Sequence, residues 1–106
     1  MDELRILPKE LKKKIENCEE IFLLDVRNPE EAKLANIAGS FLIPFSELKS
    51  RISEIPNDKQ IITYCHHGKR SFEAVKILRE HNLNAKSLVG GIDCWSRFID
   101  RRIPQY

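Results

Sequence analysis

Charge of one sign is what this chain has least of. Its 18 Lys and Arg against 16 Asp and Glu leave a formal net charge of only +2 over 106 residues. That argues against nucleic acid as the main partner and leaves any electrostatic function to a local cluster. Long hydrophobic runs are also missing. No segment approaches the roughly 20 apolar residues that span a bilayer. The opening stretch MDELRILPKELKKKIEN is charged throughout, without the apolar core of a secretory signal. A cytoplasmic protein without membrane contacts is expected. Cysteine is scarce and odd in number, with Cys18, Cys65 and Cys94 far apart. These exclude a disulfide framework, and no CxxC or Cys/His spacing suggests a zinc site. His66 and His67 are adjacent, so they are expected to point apart and chelate poorly; no metal and no cofactor is expected.

What is present suits a soluble globular domain: 42% apolar and 32% charged residues. The length fits one domain, residues 1–106, with a real core. Strand and helix patterns alternate. Strands are expected at LRIL (4–7), IFLLDV (21–26), SFLIP (40–44), QIITY (60–64) and AKSLV (85–89). The continuous apolar run of 21–26 is what a strand buried on both faces of a parallel sheet needs. Between them lie helical patterns. One starts at Pro8, with Leu11 and Ile15 on one face. Another is NPEEAKLAN (28–36), opened by Asn28 and Pro29. A third begins near Phe45 or Ser46 with Leu48, Ile52 and Ile55 on one side. SFEAVKILREHN (71–82) is the clearest helix, and IDCWSRFI (92–99) the last; the tail DRRIPQY is expected to lie extended on the surface. Five strands interleaved with helices imply an α/β fold, a mainly parallel sheet covered on both faces. Ligands of such sheets bind beyond the carboxyl ends of the strands.

One of those ends carries YCHHGKRS (64–71). Cys65 leaves a strand and precedes a glycine, two cations and a helix start. A loop curled over a helix N-terminus turns backbone N–H groups inward and adds the positive end of the dipole. Both favour the thiolate over the thiol, as do Lys69 and Arg70. Gly68 supplies a backbone angle that a tight cradle needs. Such a cradle holds either a tetrahedral oxyanion or a persulfide on the cysteine. From Cys65 to Arg70 the spacing is C-x4-R, one residue shorter than the C-x5-R of cysteine phosphatases. That leaves less room for a phosphate but room for one extra sulfur.

At these residues the chain resembles the single-domain rhodaneses, sulfurtransferases of the thiosulfate:cyanide type. Cys65, Gly68, Arg70 and Ser71 match the family's Cys-x-x-Gly-x-Arg-Ser/Ala loop; LLDVRNPEE (23–31) matches its Asp-x-Arg motif, and GGIDCWS (90–96), with Trp95, its Gly-Gly motif. The tail and loop look most like the rhodanese domains attached to ubiquitin-activating-like enzymes of cofactor biosynthesis. Departures are Asn36 and Ala38 in place of the family's usual histidine and proline, and Ala32 for a frequent aromatic residue. The resemblance implies a three-layer α/β/α fold and a double displacement through a Cys65 persulfide. The loop of His66, His67, Gly68, Lys69, Arg70 and Ser71 would bind the donor and stabilise the persulfide. The implied partners are a small anionic donor such as thiosulfate, or a protein persulfide, and a thiol or cyanide acceptor.

Plainer roles stand beside these. Arg70 is either a donor-binding cation or a clamp tied to a carboxylate. Asp25 and Arg27 are read as structural support, with Arg27 and Glu31 as an ordinary i,i+4 pair. One of the two histidines is expected to be loop surface, Cys94 a small buried filler, Trp95 core, His81 a helix-end residue and Lys12–Lys14 a solvated face; Cys18 has no assigned role. The rivals are a cysteine-dependent phosphatase or arsenate reductase, and a non-enzymatic persulfide carrier or binding module.

Overall fold

A computed structural model describes residues 3–106. Five strands form one sheet: β1 (Arg5–Ile6), β2 (Ile21–Asp25), β3 (Phe41–Leu42), β4 (Gln60–Tyr64) and β5 (Ala85–Leu88). Their order is β1-β5-β4-β2-β3 and every pairing is parallel. Helices α1 (Pro8–Glu16), α2 (Pro29–Leu34), α3 (Lys69–Glu80) and α4 (Gly91–Phe98) connect them. The stretch expected to be helical after β3 is instead a pair of 3-10 segments, Phe45–Glu47 and Lys49–Glu54. It still buries Leu48 and Ile55 as expected.

The pleat of the central strand divides the core. Ile61 and Cys65 join Leu24, Val26, Ala74, Val75, Leu78, Leu48 and Ile55 on one face. Ile62 and Tyr64 join Leu23, Leu11, Leu88, Ile92 and Trp95 on the other. Side chains alternate along β4 because successive Cβ atoms point to opposite faces. Full burial of each such aliphatic residue contributes about 1.5–3 kcal/mol. In α1 only Leu11 is buried; Ile15, one turn on and next to the helix end, is left 41% exposed rather than sharing the buried face.

The capping chemistry is local. Glu10 reaches back to the Leu7 N–H at 3.0 Å, and Glu31 to the Asn28 N–H at 3.2 Å. Both satisfy amides that a helix start leaves unpaired. Helix α3 begins at Lys69, two residues ahead of the expected start, with Gly68 before it at φ +108°. The carboxyl ends of β2, β4 and β5 therefore bring Asp25–Arg27, the Cys65 loop and Gly90–Gly91 to one edge of the sheet.

Candidate active site

Cys65 is buried, 1% exposed, and its Sγ sits among donors. The backbone N–H of Gly68 donates to it at 3.1 Å and that of Ser71 at 3.4 Å. The thiol lies 3.5 Å from Ser71 Oγ, which in turn meets Ser87 Oγ at 2.7 Å. Thr63 Oγ1 donates to the Ser71 carbonyl at 2.9 Å. The burial is therefore polar at the sulfur, although the rest of Cys65 packs in the apolar cluster. Two backbone N–H groups thus converge on one sulfur at the start of a helix.

The loop is held open from its far side by α4. Ile92 N–H donates to the Cys65 carbonyl at 2.8 Å and Asp93 N–H to the His66 carbonyl at 3.1 Å. With those carbonyls drawn to the start of α4, the amides of Gly68 and Ser71 converge on the sulfur. Gly91 makes the approach possible. A Cβ there would overlap the Cys65 carbonyl oxygen and stand 2.5 Å from that of His66. In the sequence, Gly90 and Gly91 stood out as the start of the GGIDCWS motif, without this contact to the cysteine loop.

Around this loop runs a network of paired charges. Arg70 donates through Nη1 and Nη2 to Glu31 Oε1 and Oε2 at 2.7 and 3.1 Å. Of the two roles open to Arg70, the geometry fits the clamp. Arg27, fully buried, donates to Asp25 at 2.9 and 2.7 Å, to the Ala35 carbonyl at 2.6 Å and to the Glu31 carbonyl at 3.3 Å. The expected Arg27–Glu31 ion pair is thus replaced by two others, Arg27–Asp25 and Arg70–Glu31. Arg27 precedes α2 and turns back to its own strand end. Tyr106 joins the pairs: its hydroxyl accepts from Arg27 Nη1 at 2.7 Å and donates to Glu31 Oε2 at 2.9 Å.

These contacts shift the titrations. Hydrogen bonds from Arg70 hold the Glu31 carboxyl down at about 2, and burial pushes the Tyr106 phenol up to about 12. Burial opposes the charge on Arg27, but hydrogen bonds to Asp25 and Tyr106 outweigh it and raise its pKa. Burial, aided by the neighbouring His67, lowers that of His66.

The histidines do not diverge as expected. Their ring centroids lie 4.0 Å apart, and the opposite contact of His66 is Tyr106, stacked at 4.0 Å and 8°. His67 is the exposed one, 3.8 Å from Asp93. Lys69 is exposed at the start of α3. Among the described residues, no three His, Cys, Asp or Glu gather as metal ligands would. No helix among them is long and apolar enough to cross a membrane. Trp95 is core at 5% exposure, Cys94 is half-buried and Cys18 is exposed. His81 caps α3, its Nδ1 at 2.9 Å from the Ile77 carbonyl. Asn36 is exposed and donates to the Ala32 carbonyl at 3.2 Å, outside the Cys65 loop. Sequence reading missed Thr63, Ser87 and Tyr106. It placed Glu31 in the LLDVRNPEE motif and paired it with Arg27, not with Arg70.

A parallel α/β/α sandwich that seats a cysteine sulfur under backbone amides, between a central strand and its following helix, defines a cysteine-loop domain. The profile of the rhodanese-like domain matches residues 7–98, and the chain belongs to that family. A sulfurtransferase of Allochromatium vinosum is 32% identical over 88 residues, 82% of each chain. The adenylyltransferase and sulfurtransferase MOCS3-2 of Zea mays is 33% identical over 96% of this chain, which spans 23% of that protein. Among solved structures, a rhodanese-related protein of Thermoplasma volcanium superimposes with TM-score 0.83 at 35% identity, covering 89% of this chain and 91% of that one. The names of these relatives support sulfurtransferase activity in general, with the chain similar to the rhodanese portion of the larger ones.

Proposed function

We propose that this protein moves a sulfane sulfur from a donor to an acceptor through a persulfide on Cys65. The Cys65 thiolate attacks the outer sulfur of the donor. A new S–S bond forms, and the donor's own S–S bond breaks with its electron pair leaving on the remainder, sulfite when thiosulfate is the donor. An acceptor thiolate or cyanide then attacks the outer sulfur and Cys65 departs as thiolate. No external oxidant or reductant enters either half. This is covalent nucleophilic catalysis with ping-pong kinetics. The observation that carries the reading is the convergence of the Gly68 and Ser71 N–H groups on Cys65 Sγ, at 3.1 and 3.4 Å. Those donors support an anionic sulfur at no cost in reorganisation, as preorganised dipoles do at other developing charges.

The phosphatase alternative fits less well. A phosphoryl group needs a free guanidinium to gather its oxygens, and Arg70 already has both ends of its fork on Glu31. Thiocyanate release from thiosulfate or an alkyl persulfide with cyanide, beside an aryl phosphate hydrolysis assay, separates the two. Thiocyanate without phosphatase turnover is the expected result; phosphate release without thiocyanate overturns the assignment. A persulfide carrier would form the same Cys65 adduct but pass it on only to a docked protein. Turnover with free cyanide or a small thiol distinguishes an enzyme from such a carrier.

A further inference from the structure

Lys69 and Arg70 give the loop its formal positive charge, and the fold cancels half of it. Glu31 meets both arms of the Arg70 guanidinium and is braced from another side by the Tyr106 hydroxyl. Behind it, Arg27 is matched by Asp25. Two arginines and two carboxylates thus sum to zero beside the cysteine loop. Arg70 directly precedes Ser71, whose N–H donates to Cys65 Sγ at 3.4 Å. Neither member of the Arg70–Glu31 pair is far into solvent, with side chains 35% and 19% exposed, so the cancellation acts in a partly dehydrated setting.

We infer that Glu31, held in place by Tyr106, is a donor-specificity residue: by neutralising Arg70 beside the Cys65 loop it tunes the site to singly charged sulfane-sulfur donors and against dianions. This rests on the sulfurtransferase reading above and names its substrate class. A monoanionic thiosulfonate or alkyl persulfide meets Lys69 as the exposed cation. A second negative charge on the donor, as in thiosulfate, meets Glu31 without a free Arg70 to compensate it. The chemistry is otherwise the same for both donors. Cys65 takes the outer sulfur while sulfite leaves from thiosulfate, or sulfinate from a thiosulfonate, each with the electron pair of the broken S–S bond.

The test compares second-order rates of Cys65 persulfide formation from thiosulfate and from benzenethiosulfonate at low ionic strength. The proteins are the wild type, Glu31→Gln, Arg70→Ala and the double variant. Glutamine keeps an oxygen acceptor for Arg70 but removes the charge. The expected thiosulfate-to-thiosulfonate rate ratio rises about threefold to tenfold in Glu31→Gln, falls by a similar factor in Arg70→Ala and returns near wild type in the double variant. Added salt shrinks each difference. A purely structural role for Glu31 slows both donors together and leaves the ratio unmoved; that result overturns the inference while sparing the proposed function. If thermal melting shows that Glu31→Gln alone does not fold, the double variant against Arg70→Ala decides the matter: with Arg70 gone, removing the Glu31 charge raises the ratio, and an unchanged ratio overturns the inference. A wild type that loads from neither donor overturns the sulfurtransferase reading, and the inference with it.

Discussion

Arg70 and Glu31, 39 positions apart in sequence, meet fork to fork through hydrogen bonds of 2.7 and 3.1 Å. The pair ties the first turn of α3 to α2, so the loop carrying Cys65 is anchored to the neighbouring strand-to-helix connection. Its consequences can be measured.

The first is a pH dependence. Glu31 titrates at about 2 in the folded chain against an ordinary value of 4.5, because Arg70 hydrogen-bonds the ionised form. The folded state therefore binds this proton more weakly than the unfolded one. The stabilisation is complete above about 4.5 and is lost as the pH falls toward about 2. Allowing for solvent screening of the half-exposed arginine, about 1–2 kcal/mol is at stake. Urea unfolding at pH 6 and pH 2.5 should show wild type losing that much more than Glu31→Gln over the interval. Parallel losses in the two proteins would contradict the assignment.

Tyr106 bridges the two ion pairs, so removing its hydroxyl should be felt. Tyr106→Phe keeps the ring that stacks on His66 but loses the bonds to Arg27 and Glu31. The expected cost is about 1–2 kcal/mol by denaturant titration, since buried Arg27 loses an acceptor. Tyr106→Ala should cost more, because the stacked ring goes too. Equal stability of wild type and both variants would show that the tail merely rests on the surface.

Gly91 is the closest approach of α4 to the cysteine loop. In Gly91→Ala the new methyl meets the Cys65 and His66 carbonyls, and the loop must move to admit it. A loss of at least about 2 kcal/mol is expected. At temperatures where the variant remains folded by circular dichroism, Cys65 persulfide formation should fall at least tenfold. Undiminished loading in the folded variant would mean that the α4 amides do not set the loop's shape.

The buried sulfur predicts selective access. Cys65 is 1% exposed whereas Cys18 is exposed. A bulky maleimide should therefore label Cys18 first and Cys65 slowly, while a small sulfur donor reaches Cys65 preferentially. Peptide mapping after a short pulse checks the order. Rapid maleimide labelling of Cys65 in the folded protein would contradict the buried placement.

Much of this was legible along the chain. QIITY carried β4 to its last residue because β-branched and aromatic side chains cluster there between a turn and a glycine loop. The start of α3 was read late, at Ser71 rather than Lys69, because apolar periodicity begins only at Phe72 and the preceding cations give no helical stripe. Cys65 and Gly68 were found from local order alone, since a strand, a tight turn and a helix start suffice to point amides at one atom; Ser71 came with the resemblance to the family's loop. The partners of Arg27 were not. The i,i+4 rule presumes two residues on one helix, whereas Arg27 lies before α2 and returns to Asp25. Nor does any local pattern encode Tyr106, which reaches Glu31 and Arg27 across 75 and 79 positions of chain. His66 and His67 come together, rings tilted by 32°, because the tight loop departs from extended backbone, where adjacent side chains diverge.

The most direct measurement is the intact mass of the protein after brief exposure to a sulfane-sulfur donor, followed by cyanide. A gain of about 32 Da in the wild type, discharged by cyanide, mapped to the Cys65 peptide and absent in Cys65→Ser, is the predicted result. An unchanged mass with thiosulfate, thiosulfonate and persulfide donors alike, or a sulfur carried instead on Cys18 or Cys94, would contradict it.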